Sequence, residues 1–112
     1  MSEGATALAR AAAALGEGRL AEADQLYGAI LEAEPNNAEA IFNRGAAMLG
    51  LGRWHQAVAL YDRFIAIVPG LADASFNRAF ALTQLGRVKE ALSSHAAAVA
   101  LIHVQDVAAA NR

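Results

Sequence analysis

Apolar positions recur along this chain at intervals of three and four, as at Leu60, Phe64, Ile65 and Ile67, the spacing that gathers side chains onto one face of an α-helix. The runs are broken at Gly16 and Gly18, at Glu34-Pro35-Asn36-Asn37, at Gly50 and Gly52, at Val68-Pro69-Gly70 and at Gly86. Glycine and proline stop helices, so these breaks cut the chain into segments of helical length. The pattern predicts six helices, near residues 4–16, 20–34, 38–51, 54–68, 72–85 and 88–103, each about 20 Å long.

The breaks are periodic. Shifting the chain against itself by 34 residues superimposes Gly18-Arg19, Gly52-Arg53 and Gly86-Arg87, then Ala23, Ala57 and Ala91, then Tyr27, Tyr61 and His95. The same offset pairs Pro35 with Pro69, aligns Arg10, Arg44 and Arg78, and repeats Phe42-Asn43-Arg44 as Phe76-Asn77-Arg78. Three units follow, near 4–37, 38–71 and 72–105, and together they are read as one domain spanning 1–112. A glycine-arginine link is too short for anything but an antiparallel turn, so each unit is a helical hairpin. The small residue at Ala23, Ala57 and Ala91 sits where the two helices of a hairpin approach closely. Tyr27 and Tyr61 fill the volume one turn later, and proline ends the second helix.

Composition agrees and narrows the function. The 112 residues hold no cysteine, nine basic and eleven acidic side chains, a net charge of −2 and 56% apolar residues, of which thirty are alanine, a strong helix former. Nucleic-acid binding needs an excess of Lys and Arg to neutralise phosphates, and a membrane surface needs the same; neither partner is expected. Without cysteine there are no disulfides, zinc-thiolate sites or thiol nucleophiles, which fits a reducing compartment. Glu3 precedes any basic residue and Arg10 interrupts the first apolar run, so the N-terminus reads as mature protein and not as a secretory signal. No apolar run reaches the roughly 20 residues of a membrane span. The expected location is cytoplasmic, and the alanine, arginine and leucine bias with almost no lysine points to a GC-rich bacterial genome.

A 34-residue hairpin with Gly45 in its first helix, Gly52 at the turn, Ala57 and Tyr61 in the second helix and Pro69 at the end resembles the tetratricopeptide repeat, and the resemblance covers essentially the whole chain. The first and third units depart from it: Ala11 and Ala79 replace the helical glycine, His95 the aromatic, and His103 the proline, as end units of a solenoid do. The resemblance implies an all-α right-handed solenoid of three antiparallel hairpins with a short C-terminal extension. It further implies a protein-binding adaptor whose concave wall, built from the first helix of each hairpin, takes an extended or helical peptide. Family members usually carry alanine at the places of Ile30 and Phe64; here Phe64 is expected to be buried against the small Ser75 and Ala79, conserving volume.

Mapped onto this sequence, the groove face comprises Leu8, Ala9, Ala12 and Leu15; then Glu39, Phe42, Asn43, Ala46, Leu49 and Gly50; then Asp73, Phe76, Asn77, Phe80, Thr83 and Gln84. Phe42, Phe76 and Phe80 are expected to line pockets. Asn43 and Asn77 either bracket a peptide unit of the ligand or hydrogen-bond neighbouring helices. The mapped positions contain no lysine or arginine, so recognition of a terminal carboxylate by a basic cluster is not expected. Arg10, Arg44 and Arg78 form a stripe beside the asparagines; as charged anchors Arg44 and Arg78 fork onto a ligand's acids, or they pair locally, with Glu39 and Asp73 as candidates.

Chemistry of the chain's own is not expected, nor any cofactor. His95 and His103 stand eight apart on one helix, His55 begins another, and only Asp106 follows His103 at a ligand-like interval, a poor metal set. No phosphate loop or nucleophile elbow is present, and Trp54 reads as a packing residue. After His103 only VQDVAAANR remains, too short for a separate capping helix unless it extends the preceding one. The apolar surface at Leu92, Val99 and Ile102 is then either open, favouring a homodimer, or shielded by Val104 and Val107. Self-association through this uncapped hairpin is the alternative to groove binding.

Overall fold

The structure, a computed structural model, describes residues 3–111. Six helices follow in order: α1 (Glu3–Gly16), α2 (Leu20–Ala33), α3 (Ala38–Leu51), α4 (Trp54–Ile67), α5 (Ala72–Gln84) and α6 (Val88–Ala110). Consecutive helices pair as α1/α2, α3/α4 and α5/α6, and each second helix packs on the first helix of the following pair.

The hairpin turns share one device. Gly18, Gly52 and Gly86 have φ of +76°, +71° and +74°, the left-handed region open to glycine. Each turn closes with the same two hydrogen bonds. Gly52 N–H donates to Leu49 O at 3.1 Å and Arg53 N–H to Met48 O at 2.9 Å; the Gly18 and Gly86 turns repeat the pair. This is the Schellman arrangement, which satisfies carbonyls that a helix end leaves without partners. Between hairpins, α2 and α4 end just before Pro35 and Pro69. Asn37 then caps α3, its side-chain oxygen accepting from Ala40 N–H at 3.0 Å.

Tyr27, Tyr61, Ile41 and Leu82 are the largest fully enclosed side chains, with Ala23 and Ala57 enclosed beside them. Gly45 makes this packing possible: a Cβ there would lie 2.8 Å from Cζ of Tyr61. Phe64 is buried, and the ring it meets edge-on, at 5.0 Å, is Phe42 of its own hairpin.

The contacts are asymmetric. The backbones of α1 and α3, and of α3 and α5, approach closely, whereas those of α2, α4 and α6 stay farther apart among the described residues. First helices that close up while second helices splay must bend the stack, leaving the α1–α3–α5 wall on the inside. The radius of gyration, 15.0 Å, accordingly exceeds the about 13 Å of a compact domain of this length.

The largest departure from expectation is α6, which runs to Ala110 and not to 103. His103 stands where the other units have proline, and the alanine-rich sequence after it has nothing to stop a helix. Val104 and Val107 therefore continue the helix; both are exposed and shield nothing.

Candidate functional site

The inner wall consists of α1, α3 and α5. Along α3 and α5, Glu39, Asp73, Phe80, Thr83 and Gln84 are exposed, and Phe42, Asn43, Ala46, Leu49, Phe76 and Asn77 are half-buried. The wall thus shows solvent a mixed apolar and polar surface. Its charge is one-sided: Glu39 and Asp73 occupy the first turns of α3 and α5, and no mapped wall position carries a cation.

The aromatic residues divide. Phe42 is packed into the hairpin, its ring edge-on to Tyr61 at 5.6 Å and to Phe64 at 5.0 Å. Phe76 lies against His95 at 5.2 Å. Phe80 is the open one, 51% exposed, resting on Trp54 at 5.7 Å. Trp54 is the packing residue expected. Leu49 packs at the edge of the core, and Gln84 ends α5 in solvent. A cavity of about 490 Å³ lies between α5 and α6, with Phe76, Phe80, Val88 and Leu92 on its walls.

The asparagines reach back to the preceding hairpin. Asn77 Nδ2 donates to the Tyr61 hydroxyl at 3.2 Å. Burial pushes the Tyr61 phenol up to about 12, because the charged phenolate is costly away from water, and the bond from Asn77 pulls against that shift. Asn43 holds the matching place beside Tyr27, whose phenol is likewise raised by burial and lowered in part by Asn43. That second pair is looser: the enclosed Tyr27 hydroxyl falls outside hydrogen-bonding geometry. Of the two readings of the asparagines, the bond to a neighbouring helix is the one formed at Asn77.

Arg44 and Arg78 require a correction. Arg44 Nε donates to Asp24 Oδ1 at 2.8 Å, with Arg53 reaching the other oxygen at 3.3 Å, and Arg78 Nε donates to Asp62 Oδ1 at 2.6 Å. Glu39 and Asp73 are not the partners. They precede the arginines by five residues, which places them about 140° around the helix. Both arginines instead fill creases between second helices. One crease is lined by Asp24, Gly28, Arg44 and Arg63, another by Asp62, Ser75, Arg78 and Ser94. They are therefore not anchors on the inner wall.

Reasoning from the sequence missed Asp24 and Asp62 because they do not repeat. At an offset of 34 Asp62 falls on Gly28, one helical turn beyond Asp24, and Arg44 packs over Gly28, where a Cβ would lie 3.1 Å from its guanidinium. The constant arginine paired with a carboxylate shifted by one turn is the signal that was present. Among the described residues no cluster of His, Asp or Glu is arranged to hold a metal, and no helix is long and apolar enough to cross a membrane.

A curved stack of helical hairpins with an open inner wall is a repeat scaffold for protein interaction. Tetratricopeptide-repeat models match residues 14–67 and 47–110, and the chain belongs to the tetratricopeptide-repeat family. Among solved structures it is similar to MamA of strain AMB-1, with 24% identity over 91% of this chain and a TM-score of 0.86. MamA of strain MSR-1 gives 22% over 92% and 0.87, and MamA of Desulfovibrio magneticus RS-1 gives 19% over 88% and 0.86. At these identities the likeness is one of fold. The chain spans 56% to 60% of the length of those MamA chains. No curated protein matches it by sequence.

Proposed function

We propose that this protein is an adaptor that takes an extended or helical segment of another protein on the α1–α3–α5 wall, and that the segment is basic and apolar. The observation that carries the reading is the character of that wall. Glu39 and Asp73 stand exposed at one end of it, Phe80, Thr83 and Gln84 at the other, and no mapped position between them carries a cation. Carboxylates attract lysine or arginine and steer a cationic segment in, while an exposed aromatic ring beside an apolar cavity anchors a hydrophobic side chain.

Asn43 and Asn77 are poor probes of the wall, since Asn77 fastens two hairpins. The discriminating bait carries Glu39→Lys and Asp73→Lys, both exposed, together with Phe80→Ala. Capture from the native host's lysate, read by mass spectrometry, should return a protein on wild-type bait that is lost on the triple variant and weakened by salt. If both baits retain the same proteins, the inner wall is not the binding surface.

A further inference from the structure

The three second helices carry a comparable longitudinal stripe at an offset of 34, and in two of them its middle is covered, whereas at the place of Ile102 both Val68 and Glu34 are exposed. On α2 the stripe passes through Leu20, Asp24, Tyr27 and Leu31, with Tyr27 and Leu31 buried, Leu20 half-buried and Asp24 paired with Arg44 of α3; on α4 it passes through Trp54, Val58, Tyr61 and Ile65, packed beneath α5. On α6 it becomes Val88, Leu92, His95, Val99 and Ile102. There Val88 is 60% exposed, Leu92 65%, Val99 49% and Ile102 39%. A face built as an interface twice is left bare the third time.

The manner in which α4 is covered does not suit α6. On α4, the following hairpin is engaged by Phe80 on Trp54 and by Asn77 on the Tyr61 hydroxyl. At those places α6 has Val88 and His95. It differs in length too, with 23 residues against 14 in α2 and in α4. The extra turns extend the stripe to Asp106 and Ala109, so that it reads 88, 92, 95, 99, 102, 106, 109. Alternating steps of four and three are the spacing of a helix-pairing seam.

We propose that α6 pairs antiparallel with α6 of a second copy of this chain, about a two-fold axis between residues 100 and 101. In that register His95 faces Asp106 of the second copy, Val99 faces Ile102, and Leu92 faces Ala109. The two polar residues of the stripe lie symmetrically about its apolar centre, which is what a self-complementary contact requires. The imidazole N–H donates to the carboxylate of the second copy, and its ring is already oriented by the edge contact with Phe76. The overlap is about 20 residues, roughly 30 Å of helix, a small interface of the transient class. This goes beyond the proposed adaptor role; the seam uses Leu92 and His95, which also line the cavity beside Phe80, and leaves Glu39 and Asp73 free.

Sedimentation equilibrium over a concentration series tests the association, and cysteine pairing tests the register. Wild type should pass from monomer to dimer as concentration rises. Val99→Asp, at an exposed site that leaves helicity unchanged, should raise the dissociation constant by about 100-fold, since the change is counted twice across the axis. The chain has no cysteine, so introduced thiols report cleanly. His95→Cys mixed with Asp106→Cys should give the mixed disulfide dimer. Either alone should link slowly, because His95 and its own copy stand roughly 16 Å apart along the seam. A wild type that stays monomeric to about 1 mM, or a dimer indifferent to Val99→Asp, overturns the proposal and gives the stripe to another occupant or to none. His95→Cys alone linking as fast as the mixture overturns the antiparallel register.

Discussion

Gly45→Ala is the substitution in which local preference and packing disagree most sharply. In the interior of a helix, replacing glycine with alanine normally stabilises by about 1 kcal/mol. Here the new methyl carbon would stand 2.8, 3.0 and 3.1 Å from three carbons of the Tyr61 ring. The ring has little room to retreat: it is fully enclosed, edged by Phe42, and its hydroxyl is held by Asn77. Either α3 and α4 move apart or the ring leaves its rotamer. Overpacking of this kind costs about 1–3 kcal/mol beyond what the alanine returns, which for a chain of this size lowers the melting temperature by roughly 4–12 °C. Thermal and urea unfolding followed by circular dichroism reads the effect. Gly16→Ala is the control, because nothing lies within 4 Å of its Cβ position. Placing Gly45→Ala in a Tyr61→Leu background, which removes the ring, should recover most of the added loss. If Gly45→Ala is as stable as wild type in the native background, close approach of α3 and α4 is not what glycine serves at this position.

Three further outcomes are expected. Asn77→Ala leaves the enclosed Tyr61 hydroxyl without a partner and should cost about 1–3 kcal/mol by urea unfolding, whereas Asn43→Ala, whose tyrosine contact is not closed, should cost less. The Tyr61 phenol is raised in the folded state to about 12 from an ordinary 10; the unfolded chain therefore loses this proton first. Stability is complete below pH 10 and falls as pH rises toward 12, by about 2–3 kcal/mol, a slope that Tyr61→Phe should remove from the alkaline unfolding curve. Arg44→Ala removes the closer of the two arginines that pair with the well-covered Asp24 and should destabilise by about 1 kcal/mol, while Arg78→Ala, facing a half-exposed Asp62, should change stability by less than about 0.5 kcal/mol.

Local chemistry made much of this molecule legible from its residues. Period, hairpin turns and helix ends follow from glycine at Gly18, Gly52 and Gly86, from proline at Pro35 and Pro69, and from helical apolar spacing, because each acts on the few residues beside it. The end of α6 was misplaced where no such residue stood. The inner wall was legible as a set of positions, since a 34-residue register names them, but not by what each side chain does. Phe42 is half-buried and Phe80 open although both lie on the mapped face, because Phe42 meets Tyr61 and Phe64 while Phe80 rests at the rim on Trp54 beside an open cavity. The partners of Arg44, Arg78 and Asn77 lie 16 to 20 residues back on the preceding hairpin, distances set by how one hairpin stacks on the next. Asp24 and Asp62 serve equivalent arginines from places one turn apart, so no comparison of the chain with itself superimposes them. The stripe on α6 makes the same point in reverse. Its residues resemble those of α4, and whether they are core or surface is decided by whether a following helix lies over them. Sequence alone therefore determined the repeating unit; the stacking of units decided which of its faces meet solvent.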